Sequence, residues 1–253
     1  MPRPGPFLLA ASALGLSACG GSGSSLERTA DRLDEIRTGV LHLEATIAPQ
    51  GSGERFSYEL SGPFEFPEDG GFASADLRYR QSRGDVSEEA RLVADDGKGW
   101  IEVDGERRDL SDEQLRALTV GTDEGTFLDG LDLESWFVES SSRERGDGLV
   151  EISGEASAGR TLEGVMGLGG GFAGEKPIAL DDEQQERIDR IARRSRLSIV
   201  TGADDDLLRR LRYDLELGFA ISPELRAALG DVAGATLSFE LRIDSPNEPV
   251  TIG

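Results

Sequence analysis

The sequence predicts an α+β fold built on one large antiparallel sheet with a single apolar face. Three observations lead there. Apolar and polar residues alternate with period two through many short segments, the signature of half-buried strands. Turn pairs such as Asp96-Gly97 and Asp104-Gly105 separate consecutive segments closely enough for hairpins. Helix-period segments occur only at the start, in the middle and near the end, too few and too short for a helical fold.

The chain begins with a leader. Arg3 precedes an apolar run over residues 7–16, whose bulkiest members are Leu8, Leu9, Leu14 and Leu16. That run is roughly half the ~20 residues a bilayer-spanning helix needs, which fits a cleaved signal. Leu16-Ser17-Ala18-Cys19 follows, with the only cysteine of the chain at its end. This stretch resembles the lipobox of bacterial lipoproteins at all four positions. The resemblance implies cleavage between Ala18 and Cys19 and a diacylglyceryl group on the Cys19 sulfur, with two acyl chains giving firm anchoring where one would not. The expected division is a signal segment over residues 1–18, a Gly/Ser tether over 19–25 and one domain over 26–253.

Leu26, Ala30, Leu33 and Ile36 recur at steps of three and four, predicting an amphipathic helix that Gly39 ends. Leu41, Leu43, Ala45 and Ile47 then alternate with His42, Glu44 and Thr46. Phe56, Tyr58 and Leu60 alternate next, followed after Pro63 by Phe64 and Phe66. Ala73, Ala75, Leu77 and Tyr79 face one way, with Ser74, Asp76, Arg78 and Arg80 facing the other. Val86, Ala90, Leu92 and Ala94 share a face, and residues 100–103 complete a meander of about five or six strands.

A helical section comes next. Ser111 with Gln114 forms a capping box opening a helix through Leu118. Residues 131–137 read as a short helical turn, 150–156 as a strand, 160–168 as a helix and 167–174 as a glycine-rich loop. Asp181 with Gln184 caps a helix carrying Ile188, Ile191 and Ala192 on one face. Leu197 and Ile199 begin a strand that Asp204-Asp205-Asp206 turns. Leu207, Leu211, Tyr213, Leu215, Leu217 and Phe219 alternate with one break, at Arg209. Ser222-Pro223 starts a short helix, and Leu237, Phe239, Leu241 and Ile243 mark a closing strand. The sheet therefore has about eight to ten strands, and its apolar side must be covered. A strongly curved sheet partly filled by helices leaves an apolar cavity. A flat sheet fully plugged leaves none, and the periodicity is the same for both.

Composition narrows the function. The 253 residues hold 27 Lys and Arg against 49 Asp and Glu, a net charge of −22. Such a surface repels phosphates and excludes nucleic acid as a partner. One cysteine allows no internal disulfide. The single histidine, His42, lies on the predicted polar face, with no nucleophile or second ligand assigned to it. Asp95-Asp96 and Asp204-Asp205-Asp206 lack the alternate spacing of a calcium loop. Gly169-x-Gly171-x-x-Gly174 matches the form of a dinucleotide fingerprint, but no strand precedes it and Glu175-Lys176-Pro177 follows it; a mobile flap at a cavity mouth fits better. No enzyme activity, cofactor or metal is expected.

The mature chain resembles the LolA-like lipoproteins of the LppX/LprA/LprF/LprG group of actinobacterial envelopes. The likeness rests on the lipobox cysteine, the tether, the N-terminal helix, the one-faced meander and the hairpin Asp96-Gly97-Lys98-Gly99-Trp100-Ile101-Glu102-Val103. It continues through the central helices, the long return over residues 207–219 and the closing Asn247-Glu248-Pro249-Val250. Gly169-Gly170-Gly171 has no counterpart in that pattern. The resemblance implies a curved half-barrel sheet with helices on its concave face, and an apolar cavity that holds the acyl chains of a lipid or lipoglycan. Cavity candidates are Leu43, Phe56, Tyr58, Leu60, Leu77, Tyr79, Leu92, Leu211, Tyr213, Leu215, Phe239 and Leu241, each a core residue if helices fill the space. Trp100 and Trp136 are expected as packing anchors. The expected function is a non-catalytic lipid binder or carrier. It would be anchored through Cys19 on the extracytoplasmic face of the cell membrane, with an envelope transporter or other envelope protein as partner. The alternative is an interaction lipoprotein of the same fold with a filled core.

Overall fold

The computed structural model describes residues 24–51, 54–66, 74–111, 115, 128, 131–173, 179–218 and 233–253. Among these, eleven strands form one open, curved antiparallel sheet. They are β1 (Thr38–Gln50), β2 (Phe56–Glu65), β3 (Ser74–Arg83), β4 (Val86–Asp95), β5 (Lys98–Val103), β6 (Glu106–Asp109), β7 (Phe137–Arg145), β8 (Leu149–Ala156), β9 (Ala192–Gly202), β10 (Leu208–Gly218) and β11 (Gly234–Asp244). The spatial order is β6-β5-β4-β3-β2-β1-β11-β10-β9-β8-β7. The first and last strands thus meet in the middle, and two wings extend from that seam. The β4–β5 and β5–β6 hairpins turn at Asp96-Gly97 and Asp104-Gly105, all four residues at positive φ, as the tight turns of twisted hairpins require.

The helices are α1 (Ser25–Ala30), a 3-10 turn (Leu33–Glu35), α2 (Leu133–Trp136), α3 (Ala158–Ala173) and α4 (Asp182–Ile191). Ser24 with Glu27 and Asp181 with Gln184 form capping boxes that start α1 and α4. Among the described residues helices touch the sheet mainly at β7, β8 and β10, in the wing made by the later strands, while Leu115 reaches β5 beside Gly99. Trp136 is 3% exposed and lies so close to α3 that a Cβ on Gly164 would sit 2.0 Å from its ring.

Several sequence expectations change. The single helix expected from Leu26 to Gly39 breaks at Asp31. There the chain bends so that Leu33 and Ile36 both reach the core, while the Arg32 guanidinium donates to the Asp205 carbonyl at 2.8 Å. Arg28 also donates to Asp206 at 3.0 Å, clipping α1 to the β9–β10 turn. The glycine-rich loop expected over 167–174 is instead helical through Ala173, as the last turns of α3. The fingerprint reading and the flap both lose their loop up to that residue.

β7 was not expected at all. Its residues from Val138 onward are exposed, so neither face carries the apolar alternation that marks a strand. With β6 also present, the sheet is wider than the eight to ten strands the periodicity gave. The break at Arg209 is a register shift between Leu208 and Arg210. The helix from Ser111 lies outside the described residues except at Ser111 and Leu115, the latter buried. The helix at Ser222-Pro223, Ala73, Phe219 and the whole leader with Ala18 and Cys19 lie outside them as well.

Candidate functional site: the apolar inner face

Strand register lines the inner side chains into rows that cross the sheet. One row runs Ile152, Ile199, Leu211, Leu241, Leu43, Leu60, Tyr79, Ala90, Val103 from β8 to β5. A second runs Leu197, Tyr213, Phe239, Ala45, Tyr58, Gln81, and a third Leu215, Leu237, Ile47, Phe56, Arg83. Leu77 and Leu92 pair across β3 and β4 in a fourth. All twelve cavity candidates therefore share the inner face.

Exposure separates them into two groups. Leu43, Leu211, Tyr213, Leu215, Phe239 and Leu241 are 3% exposed or less and pack in the main core with Trp136, Val165 and Leu168. The Tyr213 hydroxyl donates to the Ala158 carbonyl of α3 at 3.3 Å and sits 3.3 Å from the Ser195 hydroxyl. Burial pushes that phenol well above its ordinary range. Leu60 and Leu77 are buried too. Phe56, Tyr58, Tyr79 and Leu92 are only half-buried. Beside them Ile47 is 44% exposed, Val103 43% and Val86 66%. Among the described residues the first three rows are thus dry on β8 to β11 and become more exposed toward the corner formed by β1 to β5.

The open corner is apolar with a small polar edge. Tyr58 and Tyr79 meet edge to face with ring centres 5.1 Å apart. The Tyr79 hydroxyl donates to the Gln81 Oε1. Burial, with the nearby Tyr79 hydroxyl, pushes the Tyr58 phenol up to about 12. Gln81 on this face had no signal in the sequence, because its segment ends in polar residues on both sides. The exposure of Ile47 and Val86 was also not foreseen; their apolar periodicity suggested core.

The outer face is a lattice of charges. One groove of about 760 Å³ is lined by residues including Glu59, Arg78, Arg80, Glu89 and Glu102. Another of about 840 Å³ is lined by residues including Glu151, Arg194, Arg196, Arg210 and Arg212. Ion pairs knit these strands: Arg80 to Glu89 at 2.8 Å, Arg143 to Glu151 at 2.6 Å and Arg210 to Glu240 at 2.6 Å. The Arg91 guanidinium grips Asp76 through two bonds, 2.8 and 2.6 Å, and holds its carboxyl below the usual range. Trp100, expected as a packing anchor, lies on this outer face with the guanidiniums of Arg107 and Arg91 at 4.3 and 5.4 Å. His42, half-buried, faces the exposed Asp244 at 3.3 Å on the polar side as expected. Among the described residues no cluster of three or more His, Cys, Asp or Glu is placed to hold a metal, and no helix is long and apolar enough to cross a membrane.

No protein-family model matches the chain, and no curated protein matches it. Among solved structures, the LprF protein of Mycobacterium bovis matches with TM-score 0.40 and 10% identity, over 90% of this chain and 94% of that one. The MucA/MucB complex of Pseudomonas aeruginosa matches with TM-score 0.29 and 15% identity, over 88% of this chain and 57% of that one. A DUF1329 family protein of Desulfovibrio piger matches with TM-score 0.26 and 12% identity, over 87% of this chain and 92% of that one. The LppX/LprA/LprF/LprG group, named above from the sequence pattern, is thus represented among the matching structures.

Proposed function

We propose that this protein is a membrane-anchored envelope lipoprotein that binds acyl chains along the open inner corner of its sheet and performs no chemical step. The observation that carries the reading is the apolar corner itself. Ile47, Phe56, Tyr58, Val86 and Val103 lie on the face that is elsewhere sealed by helices, yet they retain solvent exposure. An acyl chain laid there would remove apolar surface from water at about 25 cal/mol per Å². The ligand is a lipid or lipoglycan, anchoring is through a lipidated Cys19, and an envelope transporter or another envelope protein is the exchange partner.

The test has two arms. Lipid extraction and mass spectrometry of the purified protein, together with uptake of a fluorescent long-chain fatty acid, reads the site. Phe56→Asp and Ile47→Asp are expected to reduce uptake at least several-fold while leaving the fold intact by circular dichroism. An empty protein that takes up no probe sinks the binding half. Detergent phase partitioning of wild type and Cys19→Ala reads the anchor, and equal partitioning of the two sinks that half.

A second reading is favoured by a different observation. The β8–β11 part of the face is filled, with Tyr213 and Phe239 at most 1% exposed and the Tyr213 hydroxyl bonded to α3. A protein filled throughout would act through its surface on an envelope partner, and it would bind no probe.

A further inference from the structure

β7 forms one edge of the sheet and pairs only with β8 among the described strands. All its residues after Phe137 are exposed, Val138 to 68%. A free strand edge offers a row of unpaired N–H and C=O groups to another strand, and proteins usually blunt it. The opposite edge is blunted: β6 is four residues long, and its Arg107 folds over Trp100 at 4.3 Å. β7 is nine residues long and holds no proline, and its register with β8 is regular from Glu139 to Arg145.

On this edge Glu139 has no cation opposite it within one chain. Glu139 stands opposite Glu155 in the β7–β8 register, a like-charge pair. Neither carboxylate has an ion pair among the described residues. Arg143, two positions beyond Ser141 on the same face, pairs with Glu151 at 2.6 Å. Laid antiparallel against itself about Ser141, β7 places Ser140 opposite Ser142, and Glu139 opposite Arg143 twice by symmetry. Each copy then supplies Glu139 with the cation that β8 does not place opposite it, whereas Glu155 already faces Arg196 across β8 and β9. Sliding the register by one residue toward Arg145 sets Glu139 against Glu144 instead, and it turns the side chains to the wrong faces.

We propose that β7 is a self-association edge, on which a second copy of this chain pairs antiparallel about Ser141 to make one continuous sheet of twice the width. The occupant is a second copy because the edge is its own electrostatic complement in that register. The inference is independent of the lipid reading, since β7 lies at the far end of the sheet from the open corner.

Sedimentation velocity of the full chain over a range of concentrations tests it. Wild type is expected to show a monomer–dimer equilibrium. Glu139→Arg sets two like-charge pairs across the join and is expected to weaken dimerisation about tenfold or more. Arg143→Glu is expected to do the same. The double variant Glu139→Arg with Arg143→Glu exchanges the charges and is expected to restore dimerisation to within a few-fold of wild type. Because Arg143→Glu also removes the Glu151 contact, thermal melts confirm that each variant is folded. Ser141→Pro, which blocks strand pairing at the centre, provides a charge-independent variant and is expected to remain monomeric. Wild type that stays monomeric at the highest concentration overturns the proposal. So does a Glu139→Arg chain that dimerises as well as wild type, or a charge exchange that restores nothing.

Discussion

Gly164 and Gly167 lie three residues apart on α3, and the same substitution should act on them with opposite sign. Within a helix, glycine to alanine gains about 0.8–1 kcal/mol from backbone entropy and hydration. At Gly167 a new Cβ meets nothing within 4 Å among the described residues, so Gly167→Ala should stabilise by about that amount. At Gly164 the Cβ would lie 2.0, 2.7 and 2.9 Å from three ring atoms of Trp136. The indole is a rigid plate, 3% exposed, with no free direction to yield. Overpacking of this kind costs about 1–3 kcal/mol, or more where the neighbour is stiff. The net expectation for Gly164→Ala is a loss of up to about 2 kcal/mol. Urea denaturation followed by far-ultraviolet circular dichroism reads both, with the midpoint shifting at constant slope. The reasoning is refuted if Gly164→Ala stabilises the protein, or if the two variants shift the midpoint in the same direction by similar amounts.

Other outcomes follow from the same contacts. Asp76→Asn should lower the melting temperature at neutral pH and lose its effect in acid. The Arg91-bound carboxyl titrates below its unfolded value near ~3.9, so its contribution is present above that pH and fades as pH falls through the folded value. All three phenols, Tyr58, Tyr79 and Tyr213, are pushed above the ordinary value. Absorbance titration at the tyrosinate band should therefore show little ionisation near pH ~10 in the folded protein, and stability should fall as pH rises through that value, because the unfolded chain gives up the protons first. Tyrosinate appearing with an unshifted midpoint in folded protein would contradict the burial. Asn247→Ala should destabilise by about 1–2 kcal/mol on chemical denaturation, since it loses two bonds and strains a left-handed residue. The Asn247 side chain accepts from the Arg37 N–H and donates to the Glu35 carbonyl, each at 2.9 Å, and its φ is +63°. An unchanged midpoint would show that water replaces those bonds fully.

Legibility in the sequence followed burial. β1, β10 and β11 were plain, because one side of each is dry and the other wet, and the period of two records that directly. β7 was invisible for the complementary reason: Ser140, Ser141 and Ser142 see water on both faces, and nothing in their chemistry marks a strand until β8 is beside them. The helix of Gly164 and Gly167 was legible only to Leu168, since glycines that allow close packing and glycines that permit a turn look alike in one dimension. For the candidate site, register brought all twelve residues to one face, as alternation required. Which of them stay wet was not readable, because Tyr213 and Tyr58 carry the same side chain and differ only in whether α3 lies above them. Trp100 was expected among packing anchors and sits instead between two arginines on the outer side, in the register position of Val93.

The meeting of β1 with β11 has a consequence for how the molecule comes into being. Thr38 bonds to Glu248 across 210 positions of chain, and the two wings are joined through that seam alone among the described strand pairings. During synthesis β1 and β10 each lack a neighbour on the seam side until β11 has been made. A chain that stops short of β11 would therefore be two half-sheets, each with a bare margin open to pairing with neighbours.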